Sequence, residues 1–277
     1  MSDLLKAKHY IIDLEEQKRI QLEILDAVDA FCRQENIKYS IFFGTLLGAV
    51  RHKGYIPWDD DIDIAMDRDN YNRFISLFPD SLNGLYKLAS ISNVKSWHAP
   101  FSKVYDSSTV VVDELAKTFP IGISIDIFPC DEVPDDIKER RAFLKRQRLI
   151  IKLNALKVAK ISGANGFAKK IAVGLCKFLL LPIPRRFLLM LWVKHTVKNN
   201  GKGFKNAFCV AYFSTAKHAF SKDVFSEVVL WPFEDRLYYG FKDANHYLNA
   251  IYGDYMKLPP KEKQVQSHHV LAYKISI

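Results

Sequence analysis

Four carboxylates fall within five residues of this chain, in the segment 59–63. Within it, Asp61 and Asp63 alternate with Ile62 and Ile64, a pattern that predicts a β-strand with its isoleucines in the core. The two aspartates would then share a face, about 6.7 Å apart along the chain, and unpaired charges at that separation repel by about 2 kcal/mol. A strand anchored by isoleucines cannot relieve this repulsion by moving. A cation is therefore expected between them, and Mg²⁺ or Mn²⁺ prefers such oxygens.

The alternative explanation for these acids is a surface turn, where Asp-rich segments are common. Asp59 and Asp60 alone would carry no functional signal, and Asp59 is equally explained as a cap for backbone donors. The spacing of Asp61 and Asp63 leaves both a metal site and a structural acid cluster open.

A third carboxylate lies in an apolar run, Ile121 to Phe128, that predicts another strand. Asp126 is the one acid in this run, and such a position is costly unless the acid is paired or binds a metal. Taken alone, Asp126 is better explained as a hydrogen-bonded residue at a strand end before Pro129. Beside the aspartates at 61 and 63, a metal-binding role becomes a competing interpretation.

Gly44 and Thr45 stand between a predicted strand, 37–43, and a predicted short helix, 46–52. A helix N-terminus offers free N–H groups and a positive dipole end, which suit a phosphate. Glycine would let the phosphate approach the backbone, and the Thr45 hydroxyl would add a contact. Arg51 could bind a phosphate or pair with the nearby aspartates. A tight turn with a threonine cap is the simpler alternative.

The remaining periodicities mix helices with strands and indicate an α+β fold. They predict helices over 14–35, 67–78, 135–157 and 243–252, and strands over 102–112 and 231–233. The last helix is expected to end at Gly253. We predict one domain over 1–277.

The segment 171–193 is the most apolar part of the chain, but charged residues and prolines interrupt it. A transmembrane helix needs about 20 consecutive apolar residues, so no span is predicted. Packing against the rest of the protein is the default. The alternative is a helical insertion over 135–198 that lies in a membrane interface, with its basic residues toward lipid headgroups.

Charge and cysteine usage narrow the class of protein. Forty Lys and Arg against 31 Asp and Glu give a net charge of +9, which suits phosphates, nucleotides, nucleic acids or acidic membranes. The four cysteines have no CxxC spacing, which favours buried free thiols in a reducing compartment. Residues 1–6 lack the order of a signal peptide. We expect a cytoplasmic protein, or one attached to the cytosolic face of the plasma membrane.

The motif GTLLGAVRHKGYIPWDDDIDIAM at 44–66 closely resembles the LicD family of bacterial phosphocholine transferases, within the nucleotidyltransferase superfold. Weaker matches support it: Phe-Ser-Lys-Val at 101–104, a G-x-x-x-D-I-F-P strand at 122–129, YGDYMKLPP at 252–260, and Ser-His at 267–268. The matches follow the expected order over nearly the whole chain, with none over 154–222.

The resemblance implies a small mixed sheet with flanking helices. It also implies that Gly44 and Thr45 form a phosphate-cradling turn and that Asp61 and Asp63 are metal ligands, with Asp126 as the third. Lys103 is expected to bind the donor phosphates and His268 is an additional candidate, although the motif itself does not set their roles. Leu271 replaces a second histidine of some relatives.

The implied reaction moves phosphocholine from CDP-choline to a sugar hydroxyl of a lipid-linked teichoic acid, lipopolysaccharide or capsular glycan. Metal ions would bridge the diphosphate and the aspartates, the acceptor hydroxyl would attack the distal phosphorus, and CMP would leave. We take Asp126 as the hypothetical general base, with Asp59 or Asp60 as substitutes. A quaternary ammonium needs an aromatic cage, and its candidates are Trp58, Trp97, Tyr105, Trp231 and Tyr255.

Three other interpretations compete with this one. A related enzyme would transfer ribitol- or glycerol-phosphate with the same aspartates. A nucleotide- or nucleic-acid-binding protein of the same superfold would use the positive charge, but the basic residues concentrate in 135–186 rather than interleaving with aromatics, so no nucleic-acid partner is expected. An inactive scaffold is disfavoured by the intact acids.

Overall fold

The computed structural model describes residues 10–78, 84–113, 121–158, 167–209, 218–266 and 270–275. Within these ranges helices and strands alternate in an α+β fold, which confirms the predicted class. The helices are α1 (Leu14–Gln34), α2 (Phe43–Arg51), α3 (Arg68–Leu77), α4 (Ile137–Val158), α5 (Phe167–Leu180), α6 (Arg185–Val197) and α7 (Ala244–Tyr252). The strands are β1 (Tyr10–Ile12), β2 (Ser40–Ile41), β3 (Asp63–Asp67), β4 (Tyr86–Ala89), β5 (Ser102–Asp106), β6 (Thr109–Asp113), β7 (Ser124–Val133), β8 (Asn206–Cys209), β9 (Phe220–Ser221), β10 (Val228–Phe233), β11 (Arg236–Phe241) and β12 (Val270–Lys274).

The central sheet has the order β2-β3-β7-β5-β4, and β8 pairs with the far part of β7 and with β9. Only β3 and β7 pair in parallel among these strands, so the sheet is mixed. A second sheet has the order β1-β12-β6, and β10 and β11 form a separate antiparallel pair. The mixed sheet with flanking helices agrees with the architecture that the sequence resemblance implied.

Helix α1 shows why the predicted amphipathic pattern folds against this sheet. The Asp13 side chain caps it by accepting from the Glu16 N–H at 2.8 Å. Its apolar stripe includes Ile24, Leu25 and Val28, all fully buried in the main core. Each such side chain contributes about 1.5–3 kcal/mol on burial, so packing on the sheet orders the helix.

Two predicted strands are shorter than expected. The strand predicted over 37–43 is confined to β2, because Phe43 adopts a φ of +38° and begins α2. The predicted strand over 102–112 is split into β5 and β6, which belong to different sheets. Between them the Asp106 carboxylate accepts from the Ser108 N–H at 2.7 Å, a local turn that redirects the chain.

Strand β7 continues through Pro129, where the sequence predicted a strand end. The Asp126 N–H donates to the carbonyl of Ile62 on the β3 side, so by alternation the nitrogen of residue 129 points to the opposite side. On that side β5 pairs up to Ile127 and β8 begins at Cys130. Pro129 falls in the gap between the two partners, where the ladder needs no donor.

Helices α4, α5 and α6 occupy most of the predicted helical segment 135–198. An apolar cluster seats this layer on the sheet, where Phe143 and Leu144 of α4 and Leu189 of α6 meet Val133 and Phe208. No helix in the described ranges is long and apolar enough to cross a membrane.

Candidate active site

Three side chains form a row across the central sheet. Asp63 at the start of β3 pairs in parallel with Asp126 of β7, which pairs in turn with Lys103 of β5. Directly paired residues point to the same face of a sheet. The Lys103 ammonium forms an ion pair with the Asp126 carboxylate. The row therefore places two carboxylates side by side, with one cation beside the second.

Three hydrogen bonds hold the backbone at the start of β3. The Phe42 N–H donates to the carbonyl of Asp63 at 2.8 Å, and the Asp63 N–H donates to Thr45 Oγ1 at 2.9 Å. The Asp126 N–H donates to the carbonyl of the preceding residue, Ile62, at 2.9 Å. Thr45 itself is buried and does not line the cavity described below. The Thr45 hydroxyl oxygen therefore holds the backbone of Asp63, and its contact with a phosphate stays a prediction.

Gly44 lies in the first turn of α2 rather than in a loop before it. A Cβ at this position would come within 2.4 Å of Asp59 Oδ2. The space that glycine leaves at the helix N-terminus thus holds a carboxylate of the chain itself, a favourable place for negative charge. Gly44 lines the cavity with Asp59 directly against it, and its contact with a phosphate stays a prediction.

The acids near the start of β3 are electrostatically crowded. Burial, followed by the charges of Asp61, Asp126 and Asp59, raises the pKa of Asp63 well above its usual value, and Lys103 only partly opposes this. The ionised form of Asp63 is therefore disfavoured unless further positive charge arrives.

The acids that lie closest together are not the three predicted as metal ligands. One carboxylate oxygen from each of Asp59, Asp60 and Asp61 lies within 4.8 Å of the others. Asp60 is buried behind the cavity wall, and its backbone carbonyl accepts from the side-chain amides of Gln17 and Gln21, both at 3.0 Å. Asp60 thus supports its neighbours from behind, while Asp59 and Asp61 face the cavity.

A cavity of about 740 Å³ opens in front of these carboxylates. That size is typical of small-molecule sites. Its acidic wall consists of Asp59, Asp61, Asp63 and Asp126, and the segment after α7 adds Asp254, Lys257 and Lys263. Aromatic rings line much of the remainder, namely Phe43, Trp58, Phe101, Phe128, Tyr252 and Tyr255. Acidic, basic and aromatic groups therefore face one enclosed volume.

Arg51 also lines this cavity, at the end of α2. Among the described residues its hydrogen-bond partners are not aspartates. Its Nη1 donates to the Tyr255 carbonyl at 2.7 Å, and its Nε lies 3.0 Å from His52 Nε2. Arg51 thus ties α2 to the segment after α7, which replaces the predicted pairing with the aspartates.

The predicted aromatic cage is only partly present. Trp58 and Tyr255 line the cavity, but Trp97, Tyr105 and Trp231 do not. Trp97 is buried and donates to the Phe101 carbonyl, while Tyr105 and Trp231 pack against apolar clusters. These three rings are core residues, as aromatic residues usually are.

Several cavity residues were absent from the sequence-based site. The pattern around Asp254, Lys257 and Lys263 matched the family motif at 252–260 only in part, and nothing in their spacing marked a cavity wall. Tyr252 belongs to the same stretch. His268, predicted as an additional site residue, lies outside the described residues.

Comparison with known proteins tests the family directly. The chain is 30% identical over 261 residues to "Lipopolysaccharide cholinephosphotransferase LicD" of Haemophilus influenzae, an alignment that covers 94% of this chain and 97% of the relative. The chain belongs to the LicD family. The model described as "LicD/FKTN/FKRP, nucleotidyltransferase domain" matches residues 36–158, and the predicted family is confirmed.

The LicD match at 36–158 contains every acid of the cavity's β3 and β7 wall. Two further relatives match shorter stretches. An uncharacterized protein of Rickettsia typhi is 40% identical over 75 residues, covering 27% of this chain and 24% of its own length. An uncharacterized protein of Rickettsia prowazekii is 50% identical over 46 residues, covering 17% of each chain.

Proposed function

We propose that this LicD-family protein transfers phosphocholine from CDP-choline to a sugar hydroxyl of a lipid-linked glycan at the cytoplasmic face of the membrane. The phosphotransferase class follows from the family and from a relative that is named as a lipopolysaccharide cholinephosphotransferase. The observation that carries the proposal is one cavity lined by five carboxylates together with cationic and aromatic side chains.

The cavity's donor set fits a divalent cation such as Mg²⁺ or Mn²⁺. All its acidic ligands are carboxylates, which these ions prefer. Burial and the neighbouring acids raise the pKa of Asp63, so a bound cation would favour its ionised form. We propose that Asp61, Asp63 and Asp126 hold the ion, with Asp59 beside them. When bound, the ion would neutralise the donor diphosphate and stabilise charge on its oxygens.

The chain's own groups position the donor and move the proton. Arg51, Lys257 and Lys263 line the cavity and offer positive charge to the diphosphate. Asp126 is our candidate general base, since it faces the cavity and is held by its ion pair with Lys103. In that role its carboxylate accepts the proton of the acceptor hydroxyl as the new ester bond forms.

The aromatic side of the cavity fits a quaternary ammonium. Trp58, Tyr252 and Tyr255 line the same volume as Asp254. Ring faces attract a cation that carries no hydrogen-bond donors, and a carboxylate nearby adds long-range attraction. This combination favours choline over a polyol headgroup, whose hydroxyls require hydrogen-bond partners.

The test is metal-dependent CMP release by the purified protein. CDP-choline, CDP-ribitol and CDP-glycerol would each be supplied with Mg²⁺, with and without a lipid-linked glycan. We expect release with CDP-choline and glycan, and its loss in an Asp61→Asn, Asp63→Asn double variant. Asp235→Asn is the matched control, because that carboxylate is 80% exposed and does not line the cavity.

The possible outcomes distinguish an error in the identity of the donor from an error in the proposed mechanism. Turnover with CDP-ribitol or CDP-glycerol instead of CDP-choline would keep the site chemistry and change the headgroup. Full activity of the double variant would show that Asp61 and Asp63 are not the metal-binding pair. No turnover with any donor, together with no Mg²⁺-dependent donor binding by calorimetry, would overturn the transferase proposal.

A further inference from the structure

The charge of this chain is segregated along its sequence. Residues 140–222 contain 19 Lys and Arg and no Asp or Glu. The remaining positions hold 21 basic and 31 acidic residues, so the segment carries +19 and the rest of the chain −10. Surface charge in most proteins mixes both signs. The whole excess of positive charge therefore belongs to the part of the chain from α4 to β9.

The same segment exposes large apolar side chains. In α5, Ile171, Leu175, Phe178 and Leu179 recur at helical spacing, and all are exposed. Leu181 follows in the turn before α6, and α6 adds exposed Phe187 and Met190. Phe178 and Leu181 retain 67% and 68% of their accessible surface. We call these residues the basic apolar surface, together with the exposed basic residues Arg186 and Lys194.

The exposed apolar side chains lie on a different face of α6 from the side chains that pack into the core. Leu188, Leu189 and Trp192 of α6 point inward and are buried, and Leu189 and Trp192 join the cluster with Phe143 of α4. The Arg185 side chain donates to the Asn154 side chain of α4. Helix α6 is thus already seated on α4, and the exposed side chains of α5 and α6 form an apolar surface that is open to solvent.

We propose that the basic apolar surface docks the protein on a membrane that contains anionic lipids. Interfacial helices bury an apolar face at the headgroup level and place Lys and Arg against acidic headgroups. Charge complementarity selects this occupant, because no acid lies anywhere in the segment to repel an anionic headgroup. Docking is peripheral, since no described helix is able to span the bilayer.

Two other occupants fit the observations less well. A second copy of this chain would cover the apolar residues but would oppose two acid-free segments of +19 each. A nucleic acid would satisfy the charge but would leave Phe178, Leu179 and Leu181 in contact with water or phosphate. Single-strand binding stacks bases on aromatic rings, whereas most of the exposed apolar residues of α5 and the turn after it are aliphatic.

The docking surface connects to the cavity through the strand β8. Phe208 of this strand belongs to the cluster that seats α4 and α6 and also lines the cavity. Membrane attachment through α5 and α6 would thus hold the cavity next to the lipid surface. Binding itself needs no transfer activity, so its test does not depend on the proposed function.

The test measures binding of the full chain to vesicles by co-sedimentation. Vesicles of phosphatidylcholine with about 30% phosphatidylglycerol are compared with pure phosphatidylcholine at low salt. A Phe178→Ser, Leu181→Ser double variant is compared with Leu230→Ser, Leu237→Ser, a pair of exposed residues on the β10–β11 hairpin. We expect binding to anionic vesicles, a loss of at least about 30-fold in the first variant, and no loss in the control.

Salt and two further variants test which groups contribute to vesicle binding. Raising salt from 0.1 to 0.5 M should weaken binding several-fold through screening, and Lys194→Glu should weaken it further. The Asp61→Asn, Asp63→Asn variant should bind as the wild type does. Circular dichroism confirms that each variant is folded.

Failure to bind anionic vesicles would overturn the proposal, as would equal losses in both double variants. Equal binding to pure phosphatidylcholine would refute the role of charge. A wild-type dimer that Phe178→Ser, Leu181→Ser converts to a monomer would assign the surface to a second copy. Salt-dependent retention on DNA without vesicle binding would assign it to a nucleic acid.

Discussion

Replacing Gly44 by alanine tests whether the position of Asp59 matters for transfer. The added Cβ would lie 2.4 Å from Asp59 Oδ2, whereas an ordinary contact begins near 3.4 Å. The carboxylate must therefore retreat by about 1 Å. Displacements of this size at a reacting site cost on the order of 100-fold in rate. We expect kcat/KM for CMP release to fall by about that factor.

The Gly44→Ala variant should lose activity without losing thermal stability. Gly44 is helical, and alanine in a helix interior is favoured over glycine by about 0.5–1 kcal/mol. The atom that the Cβ meets is the end of a side chain rather than backbone. The melting temperature should stay within a few degrees of the wild-type value.

The assay compares kcat/KM and thermal melts for the wild type, Gly44→Ala and Gly174→Ala. Gly174 is a matched helical control, since a Cβ there meets nothing within 4 Å. Wild-type activity of Gly44→Ala would show that the location of Asp59 is unimportant. A parallel drop in activity and melting temperature would show instead that the glycine serves the fold.

Three further predictions concern stability and reactivity. Asp63→Asn should raise the melting temperature of the metal-free protein at pH 8. The pKa of Asp63 is higher in the folded than in the unfolded protein, so the folded state loses stability as the pH rises and Asp63 ionises. Asparagine cannot ionise, and the variant avoids this loss. Melts from pH 5 to 9 should show a flatter decline in the variant, and an unchanged slope would contradict this. Arg68→Met should cost about 3–5 kcal/mol in urea unfolding, because the buried Asp131 carboxylate loses its guanidinium; a loss under 1 kcal/mol would refute it. Iodoacetamide should modify exposed Cys176 first, while burial raises the pKa of Cys32 and protects it; peptide mass spectrometry identifies the site.

Local sequence patterns were sufficient to predict several helices and strands, including those nearest the family motif. The alternation after Asp61 placed β3, the apolar stripe of α1 matched its buried face, and Gly253 ended α7 with a positive φ. These features depend on neighbours within a few residues. The family was likewise recognisable, because its longest motif is contiguous.

Features that depend on contacts between distant residues were harder to predict from the sequence. The contact of the Thr45 hydroxyl with the backbone of Asp63 was not predicted, because the two residues are 18 positions apart in the sequence. Trp97 and Trp231 looked like cage residues, because composition does not distinguish a ring in the core from one in a cavity. Lys257 and Lys263 reach the site only through the fold of the segment after α7.

The pairing of β3 with β7 also gives Asp63 and Asp126 a part in folding. Ile62 and Ile64 are fully buried, as are Ile125 and Ile127 on either side of Asp126. Slipping β7 by one residue would exchange the two faces and force the Asp126 charge into that core at a cost of several kcal/mol. The acids therefore penalise misaligned strands. Exchanging them for apolar residues would remove this penalty, so evolution toward an inactive homologue would also relax the alignment of its central sheet.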